Sequence, residues 1–253
     1  PHWGSYPAMV KIAWGRPVEA RAHHQNGFML TPEELDASLS SRTRVVFLNT
    51  PTNPTGRVYD RKTLSALGEV LLDYPDVFVL SDDIYEHLRY TGEPYCNILN
   101  VCPSLQGRTL VVNGVSKAYA MTGWRVGWMV GPEAPIKAAA NLQSHLTSNV
   151  SNISQIAALA ALTGDQSDAV AMREKFNKRR QRIVDGLNAI PGMVCPEPTG
   201  AFYVYPDVTS LLSNAFGGST PTTSLELANL LLDECDVAAV PGEAFGPSGY
   251  LRF

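Results

Sequence analysis

Two basic residues, Lys117 and Arg125, lie eight residues apart in the stretch VNGVSKAYAMTGWRVGW. No aspartate or glutamate occurs between Gly107 and Pro132. Lys117 closely follows the apolar run 110–112, which is typical of a buried strand, so a surface lysine is not the obvious explanation. We therefore expect groups from outside this segment to pair with the two cations.

Three apolar runs of the sequence each lead into side chains that can bind ligands or transfer protons. VVFL is followed by NTPTNPTG, VFVL by SDDIYEH, and LVV by NGVSK. Ligands of open parallel α/β sheets bind outside the carboxyl ends of the strands, where neighbouring loops converge. An amide, a carboxylate with a tyrosine, and a lysine are therefore expected to meet in one cleft.

The segments that would position these groups alternate between strand and helix patterns. TPEELDASL contains a capping box opened by Thr31, and DRKTLSALGEVLLDY is an amphipathic helix that begins after Asp60. The apolar runs in RVVFLNTP, VFVLSDDIY, RTLVVNG and RVGWMVG are continuous, as in strands buried on both faces. The pattern predicts an α/β protein with a mostly parallel sheet covered by helices.

The sequence changes character after a long charged helix predicted from Asp165 to Ala189. Downstream lie AFYVYPD, a loop rich in Pro, Gly, Ser and Thr, the helix SLELANLLLDEC and the strand VAAVPG. We place a domain boundary near residue 180. This predicts a large domain over residues 1–180 and a partial α+β small domain over residues 181–253.

Composition limits the partners of the chain. The net charge of −4 and a pI of about 5.7 argue against nucleic acids and anionic membranes as partners, and no apolar run is long enough to span a bilayer. The four cysteines have neither CxxC spacing nor the density of a disulfide scaffold, so we expect reduced thiols and a cytoplasmic location. The histidines lack metal-ligand spacing, and no metal is predicted.

Four motifs, in this order and spacing, resemble the class I/II aminotransferases, which are fold type I enzymes that depend on pyridoxal 5′-phosphate (PLP). The motifs are NPTG at 53–56, SDDIYEH with Asp82 and Tyr85, the pair Ser116 and Lys117, and GWRVG around Arg125. The sequence is most similar to the bacterial aspartate aminotransferase subgroup, over essentially the whole chain. The resemblance implies transamination of aspartate or a similar amino acid with a 2-oxo acid such as 2-oxoglutarate.

The resemblance also implies catalytic and cofactor-binding roles. Lys117 would form a Schiff base with the PLP aldehyde and, once substrate displaces it, would shuttle a proton. Asp82 would hold the pyridine nitrogen protonated. Tyr85 and Asn53 would hydrogen-bond the phenolic oxygen of PLP, which favours its ionised form.

Further contacts to phosphate, ring and substrate are implied in the same way. Arg125 and Ser116 would bind the phosphate of PLP. Trp3 matches the aromatic residue that stacks on the cofactor ring. Arg252 matches the arginine that binds the substrate α-carboxylate through two parallel hydrogen bonds, and Asn53 would also lie at the substrate.

The residues themselves leave other roles open. The alternatives are Asp82 as the N-cap of a helix beginning DIYEH, Asp83 in place of Asp82, Tyr85 as a packed aromatic on that helix, Asn53 in an Asn-Pro turn, Arg125 paired with a distant carboxylate, and Trp3 as a core residue.

The reaction and the extent of the protein leave alternatives too. An aromatic aminotransferase, a C–S lyase, or a non-catalytic PLP-sensing domain of a transcription regulator would carry similar motifs. The chain starts at Pro1 and ends in YLRF, and we expect a fragment of a longer protein whose upstream loop contributes to phosphate binding. The resemblance implies a homodimer for the full-length protein.

Overall fold

The computed structural model describes all of residues 1–253, which form two compact units. We call residues 31–51 and 59–174 the sheet unit, and residues 1–30, 52–58 and 175–253 the terminal unit. The chain therefore passes between the units several times, and each unit combines segments that are distant in sequence.

The sheet unit contains a sheet of four strands, in the order β1-β2-β3-β4. Strands β1, β2 and β3 are parallel, and β4 is antiparallel to β3. The strands are β1 (Val45–Asn49), β2 (Phe78–Asp82), β3 (Thr109–Gly114) and β4 (Gly127–Val130). The predicted α/β class with a mostly parallel sheet is confirmed, and the carboxyl ends of β1, β2 and β3 lie at one edge.

Five α-helices belong wholly to the sheet unit. They are α2 (Pro32–Ser38), α3 (Arg61–Leu72), α4 (Ile98–Val101), α5 (Glu133–Leu146) and α6 (Asn152–Thr163), with 3-10 turns at Pro103–Arg108 and Thr122–Trp124. Both predicted caps are confirmed, since the Thr31 hydroxyl accepts the Glu34 N–H at 3.2 Å and Asp60 Oδ1 accepts the Thr63 N–H at 2.7 Å. Helix α3 buries one face because its leucines recur every three or four residues.

Helix α7 (Ser167–Asn188) connects the units, and the chain passes from one to the other between Glu174 and Lys175. The division into domains at residues 1–180 and 181–253 stays a prediction.

The terminal unit combines the first thirty residues with the C-terminal segment. Its elements are α1 (Ser5–Ile12), α8 (Ser224–Cys235), β5 (Val240–Pro241) and β6 (Leu251–Arg252), with 3-10 turns at His24–Asn26, Thr209–Leu211 and Gly242–Ala244. Helix α8 has the bounds predicted for it. Of the predicted strand VAAVPG, only Val240–Pro241 form a strand, which pairs with β6. Val208, Leu227 and Leu251 belong to a buried apolar cluster in the core of the terminal unit.

None of the helices in the chain combines the length and apolarity that crossing a bilayer requires.

Candidate active site

Lys117 lies shortly after the end of β3, in a loop anchored by buried neighbours. Val115 and Ala118 are buried, while Lys117 is half-buried. The Lys117 Nζ lies 6.0 Å from the centre of the Tyr85 ring. The buried neighbours fix the backbone of the loop, so the amine is held beside an aromatic ring.

Asp83 has its carboxylate inside the sheet unit. The residue is 1% exposed, and its side chain accepts hydrogen bonds from Ser81 Oγ at 2.6 Å and from Asn97 Nδ2 at 3.0 Å. Burial is the largest influence and raises the pKa of Asp83, while these hydrogen bonds offset part of the rise. The Asp83 carboxylate therefore has a structural role.

Asp82 is the carboxylate that remains at the end of β2. It is half-buried, and its Oδ1 accepts the Ile84 N–H at 3.2 Å. Its backbone carbonyl accepts the Asn49 side-chain amide at 3.0 Å and the Thr50 N–H at 3.3 Å, which ties the end of β1 to the end of β2. The two neighbouring carboxylates thus differ in burial, and Asp82, which the family's spacing selects, is the more accessible one.

Tyr85 lies in a turn at residues 84–87, not in a helix. The Glu86 N–H donates to the Asp83 carbonyl at 2.9 Å, and the Leu88 N–H donates to the Tyr85 carbonyl at 2.8 Å. The alternative in which a helix begins at DIYEH is therefore wrong, because these short-range bonds close turns only. The Tyr85 side chain is 3% exposed, and this turn presents its ring to Lys117.

Arg125 and Ser116 complete the predicted residues of the sheet unit. Arg125 is exposed, and its guanidinium donates to the Thr122 carbonyl at 2.8 Å. The alternative of a distant carboxylate partner is not what the structure has. Arg125 has φ 56° and ψ 47°, a left-handed conformation that costs a non-glycine residue roughly 1–2 kcal/mol. Ser116 is half-buried and directly precedes Lys117.

Arg252 and Asn53 lie in the terminal unit, and a hydrogen bond joins their side chains. The Arg252 guanidinium donates to Asn53 Oδ1 at 2.9 Å, and it lies 4.6 Å from the ring centres of both Tyr203 and Phe245. Strand β6 pairs with β5 through Val240, so the arginine is presented from an ordered ladder. This arrangement fixes the plane of a guanidinium next to a buried amide.

Trp3 also lies in the terminal unit. Its ring meets the Tyr6 ring edge-on, with the centres 5.4 Å apart, and the residue is 40% exposed. The His2 N–H donates to the Phe245 carbonyl at 3.0 Å and anchors this segment. The alternative of a core residue is wrong, because much of the indole is accessible.

The structure thus brings Lys117 and Tyr85 together and places Asp82 at the end of the adjacent parallel strand. Sequence reasoning missed two residues that support this arrangement, Tyr95 and Asn113. Neither lies in a recognisable local pattern, because the Tyr95 hydroxyl donates to the Thr50 carbonyl, 45 residues away, and the Asn113 amide donates to Glu86, 27 residues away.

The family model for aminotransferase class I and II matches residues 1–253. The chain belongs to this family. An aspartate aminotransferase of Streptomyces avermitilis is 49% identical and an aspartate/prephenate aminotransferase of Nitrosomonas europaea is 47% identical, each over the whole chain. The chain spans 62% and 64% of the length of these two curated relatives.

Solved structures agree with this aminotransferase assignment. The aspartate aminotransferase from Rhizobium meliloti superposes with a TM-score of 0.95 at 44% identity, covering 100% of this chain and 64% of that one. The aromatic aminotransferase from Pyrococcus horikoshii OT3 has a TM-score of 0.91 at 33% identity, covering 100% and 66%. The resemblance and the predicted PLP-dependent transferase fold type I are confirmed.

Aminotransferases of this family depend on PLP, and the side chains of the sheet unit fit that cofactor chemically. PLP carries an aldehyde, a ring nitrogen, a phenolic oxygen and a phosphate. The unit offers an amine at Lys117, a carboxylate at Asp82 and a phenol at Tyr85. Arg125 offers a guanidinium bonded only to a main-chain carbonyl, which suits a phosphate.

Proposed function

We propose that the full-length protein transaminates aspartate or a similar amino acid with a 2-oxo acid such as 2-oxoglutarate, using PLP. The observation that carries the proposal is the position of the Lys117 Nζ, 6.0 Å from the Tyr85 ring centre. Asp82 ends the parallel strand next to β3, which leads into this lysine. The names of the relatives at 49% and 47% identity support the substrate class.

Each residue of the sheet unit then has a chemical task. Bound PLP supplies the electron sink that stabilises a carbanion at the substrate Cα. Lys117 would hold PLP covalently and, when released, would carry the proton to and from Cα. Asp82 would keep the ring nitrogen protonated, and the Tyr85 hydroxyl would donate to the phenolic oxygen. Ser116 and Arg125 would hold the phosphate.

We propose that Arg252 binds the α-carboxylate of the substrate. Asn53 accepts from one guanidinium nitrogen, and the rings of Tyr203 and Phe245 hold the guanidinium plane. Most guanidinium donors remain for a carboxylate, which suits a bidentate contact. Trp3 would stack on the cofactor ring, which its exposed indole supports.

Transamination of aromatic amino acids is a second candidate, favoured by the match to the aromatic aminotransferase from P. horikoshii at a TM-score of 0.91. Turnover of aspartate and of phenylalanine with 2-oxoglutarate, measured side by side, distinguishes the two. Faster turnover of phenylalanine would replace the first substrate assignment by the second.

The test of the proposed function is attachment of PLP at Lys117. We expect a visible absorption band on adding PLP, and borohydride reduction followed by peptide mapping should find the label on Lys117. Lys117→Ala should remove both the band and transamination, whereas Lys62→Ala, a change at an exposed lysine of α3, should leave both intact. Label scattered over surface lysines, or turnover retained without Lys117, would overturn the proposal.

We propose that the full-length protein is a homodimer. Large apolar side chains on α5 and α6 support this, since Leu142, Leu146, Ile153 and Ile156 are all exposed, and burial of exposed apolar side chains favours association of subunits. Sedimentation equilibrium of the full-length protein should give the mass of two copies, and a single-copy mass across micromolar concentrations would contradict it.

We also propose a cytoplasmic location, which the free thiols support. An exposed free thiol such as Cys235 persists in reducing compartments. Cell fractionation with an antibody against the protein measures this, and recovery in a secreted fraction would contradict it.

A further inference from the structure

Asn113 joins the two segments of the sheet unit that carry Tyr85 and Lys117. It lies near the end of β3 and is 9% exposed. Its Nδ2 donates to Glu86 Oε1 at 2.7 Å, and its Oδ1 accepts the Gly114 N–H at 2.7 Å. Turning the amide over would break both bonds, so this orientation is determined by its partners.

Glu86 occupies the other end of this link. It follows Tyr85 in the turn, and its own N–H is bonded to the Asp83 carbonyl at 2.9 Å. Its carboxylate also lies 3.3 Å from the His87 Nε2. A charge-assisted bond of 2.7 Å to Asn113 is stronger than a neutral one, so the turn that carries Tyr85 is held firmly to β3.

The backbone where Asn113 holds β3 has little freedom. A Cβ added to Gly114 would lie 2.8 Å from the Val126 carbonyl oxygen and 3.1 Å from the Gly127 Cα. The backbones of β3 and β4 therefore approach closely at this point, and the loop to Lys117 starts from a fixed place. The hydrogen bond from the Asn113 side chain to Glu86 therefore holds the turn at residues 84–87 in a fixed position relative to β3.

We propose that Asn113 and Glu86 are positioning residues that set the separation of Tyr85 from Lys117. None of the catalytic or binding tasks above uses either residue. The inference rests on the proposed function, because the separation matters through the hydrogen bond that Tyr85 gives to the phenolic oxygen of PLP. That bond favours the ionised oxygen and so sets the pH at which the visible spectrum of the bound cofactor changes.

Three variants, two single and one double, separate a positioning role from general stability. Glu86→Gln keeps the acceptor oxygen for Asn113. Asn113→Asp places two carboxylates at a 2.7 Å contact, where they repel. In the double variant the new amide at position 86 can donate to one oxygen of the new carboxylate at position 113. The other oxygen of that carboxylate still accepts the Gly114 N–H, so the link is restored with its direction reversed.

The experiment uses the full-length protein loaded with PLP. For each variant it measures the kcat of transamination, the pH midpoint of the spectral change and the midpoint of thermal unfolding. We expect Asn113→Asp to lower kcat about tenfold or more, as for one lost charge-assisted hydrogen bond, and to raise the pH midpoint. Glu86→Gln should stay near the unsubstituted protein, and the double variant should recover both quantities.

A further pair tests whether the effect passes through Tyr85. Tyr85→Phe should raise the pH midpoint by itself, and adding Asn113→Asp should raise it no further, since coupled residues are not additive. If Asn113→Asp does not fold, Glu86→Ala removes the acceptor and takes its place.

The outcomes separate the two proposals. An unchanged kcat and pH midpoint in Asn113→Asp or Glu86→Ala, with a lower unfolding temperature, would overturn the positioning role alone. Failure of the double variant to recover would also overturn it. Absence of the visible band in the unsubstituted protein would overturn the proposed function, and the positioning role with it.

Discussion

Arg252 donates a hydrogen bond of 2.9 Å to Asn53, although 199 positions separate the two residues in sequence. The same guanidinium lies 4.6 Å from the ring centres of both Tyr203 and Phe245. Each such cation–π contact contributes roughly 0.5–2 kcal/mol. Because both the amide and the rings match a planar guanidinium, lysine cannot reproduce the arrangement.

Arg252→Lys is expected to raise the KM for amino-acid substrates by roughly ten- to a hundredfold, the equivalent of one lost hydrogen bond to a charged group. The factor should be similar for aspartate and for alanine, because the α-carboxylate is common to both. Steady-state kinetics of the full-length protein measures it, with Arg42→Lys at an exposed site as control. An effect confined to aspartate would mean that Arg252 binds the side-chain carboxylate instead.

Asp82→Asn should affect mainly the activity of the protein, whereas Asp83→Ala should affect mainly its stability. Asp82→Asn should stop transamination with little change in the free energy of unfolding. Asp83→Ala leaves the donors of buried Ser81 and half-buried Asn97 without their acceptor, which should lower that free energy by about 2–4 kcal/mol. Urea unfolding and an activity assay check both, and an inactive Asp83→Ala of normal stability would reverse the assignment.

The stability of the chain should depend on pH with opposite sign at Asp83 and at Asp60. Burial raises the pKa of Asp83 above its ordinary 3.8, so its contribution to stability is complete below pH 3.8 and is lost as the pH rises through the raised pKa. Hydrogen bonds from Thr63 lower the pKa of Asp60, so its contribution is present above pH 3.8 and is lost as the pH falls.

Urea unfolding between about pH 3 and pH 7 tests these signs. The unsubstituted chain should lose stability relative to Asp83→Asn as the pH rises, and should gain stability relative to Asp60→Asn. Asparagine still caps a helix, so Asp60→Asn removes mainly the charge. Parallel stability profiles for the variants and the unsubstituted chain would contradict the environments described for these carboxyls.

The four thiols should differ in reactivity. Cys96, Cys102 and Cys195 are buried, whereas Cys235 is exposed. Burial raises the pKa of the three buried thiols, that of Cys195 to about 11, which lowers their thiolate fraction. A disulfide reagent at neutral pH should label Cys235 rapidly and the others only in denaturant. Cys235→Ser should abolish the rapid reaction. Fast labelling of any of the other three cysteines would show that its thiol is accessible and would contradict the prediction.

Local sequence signals determined the class of the fold and the family. Thr31 and Asp60 cap their helices through N–H groups three residues away, so nearby residues suffice to predict them. The continuous apolar runs predicted β1, β2 and β3, because strands buried on both faces need no polar alternation. The order of NPTG, SDDIYEH, SK and GWRVG identified the family before any contact was known.

The family's spacing of an aspartate, two residues and a tyrosine selected Asp82 from the sequence, but only the tertiary structure showed that Asp83 is buried and accepts a hydrogen bond from Asn97, which comes from another segment. It also decided that Tyr85 lies in a turn and that its neighbour Glu86 is bonded to Asn113, 27 residues away. The local periodicity of the sequence indicates which face of a segment is apolar. It does not record which distant donor meets a given acceptor, because that depends on how the segments pack.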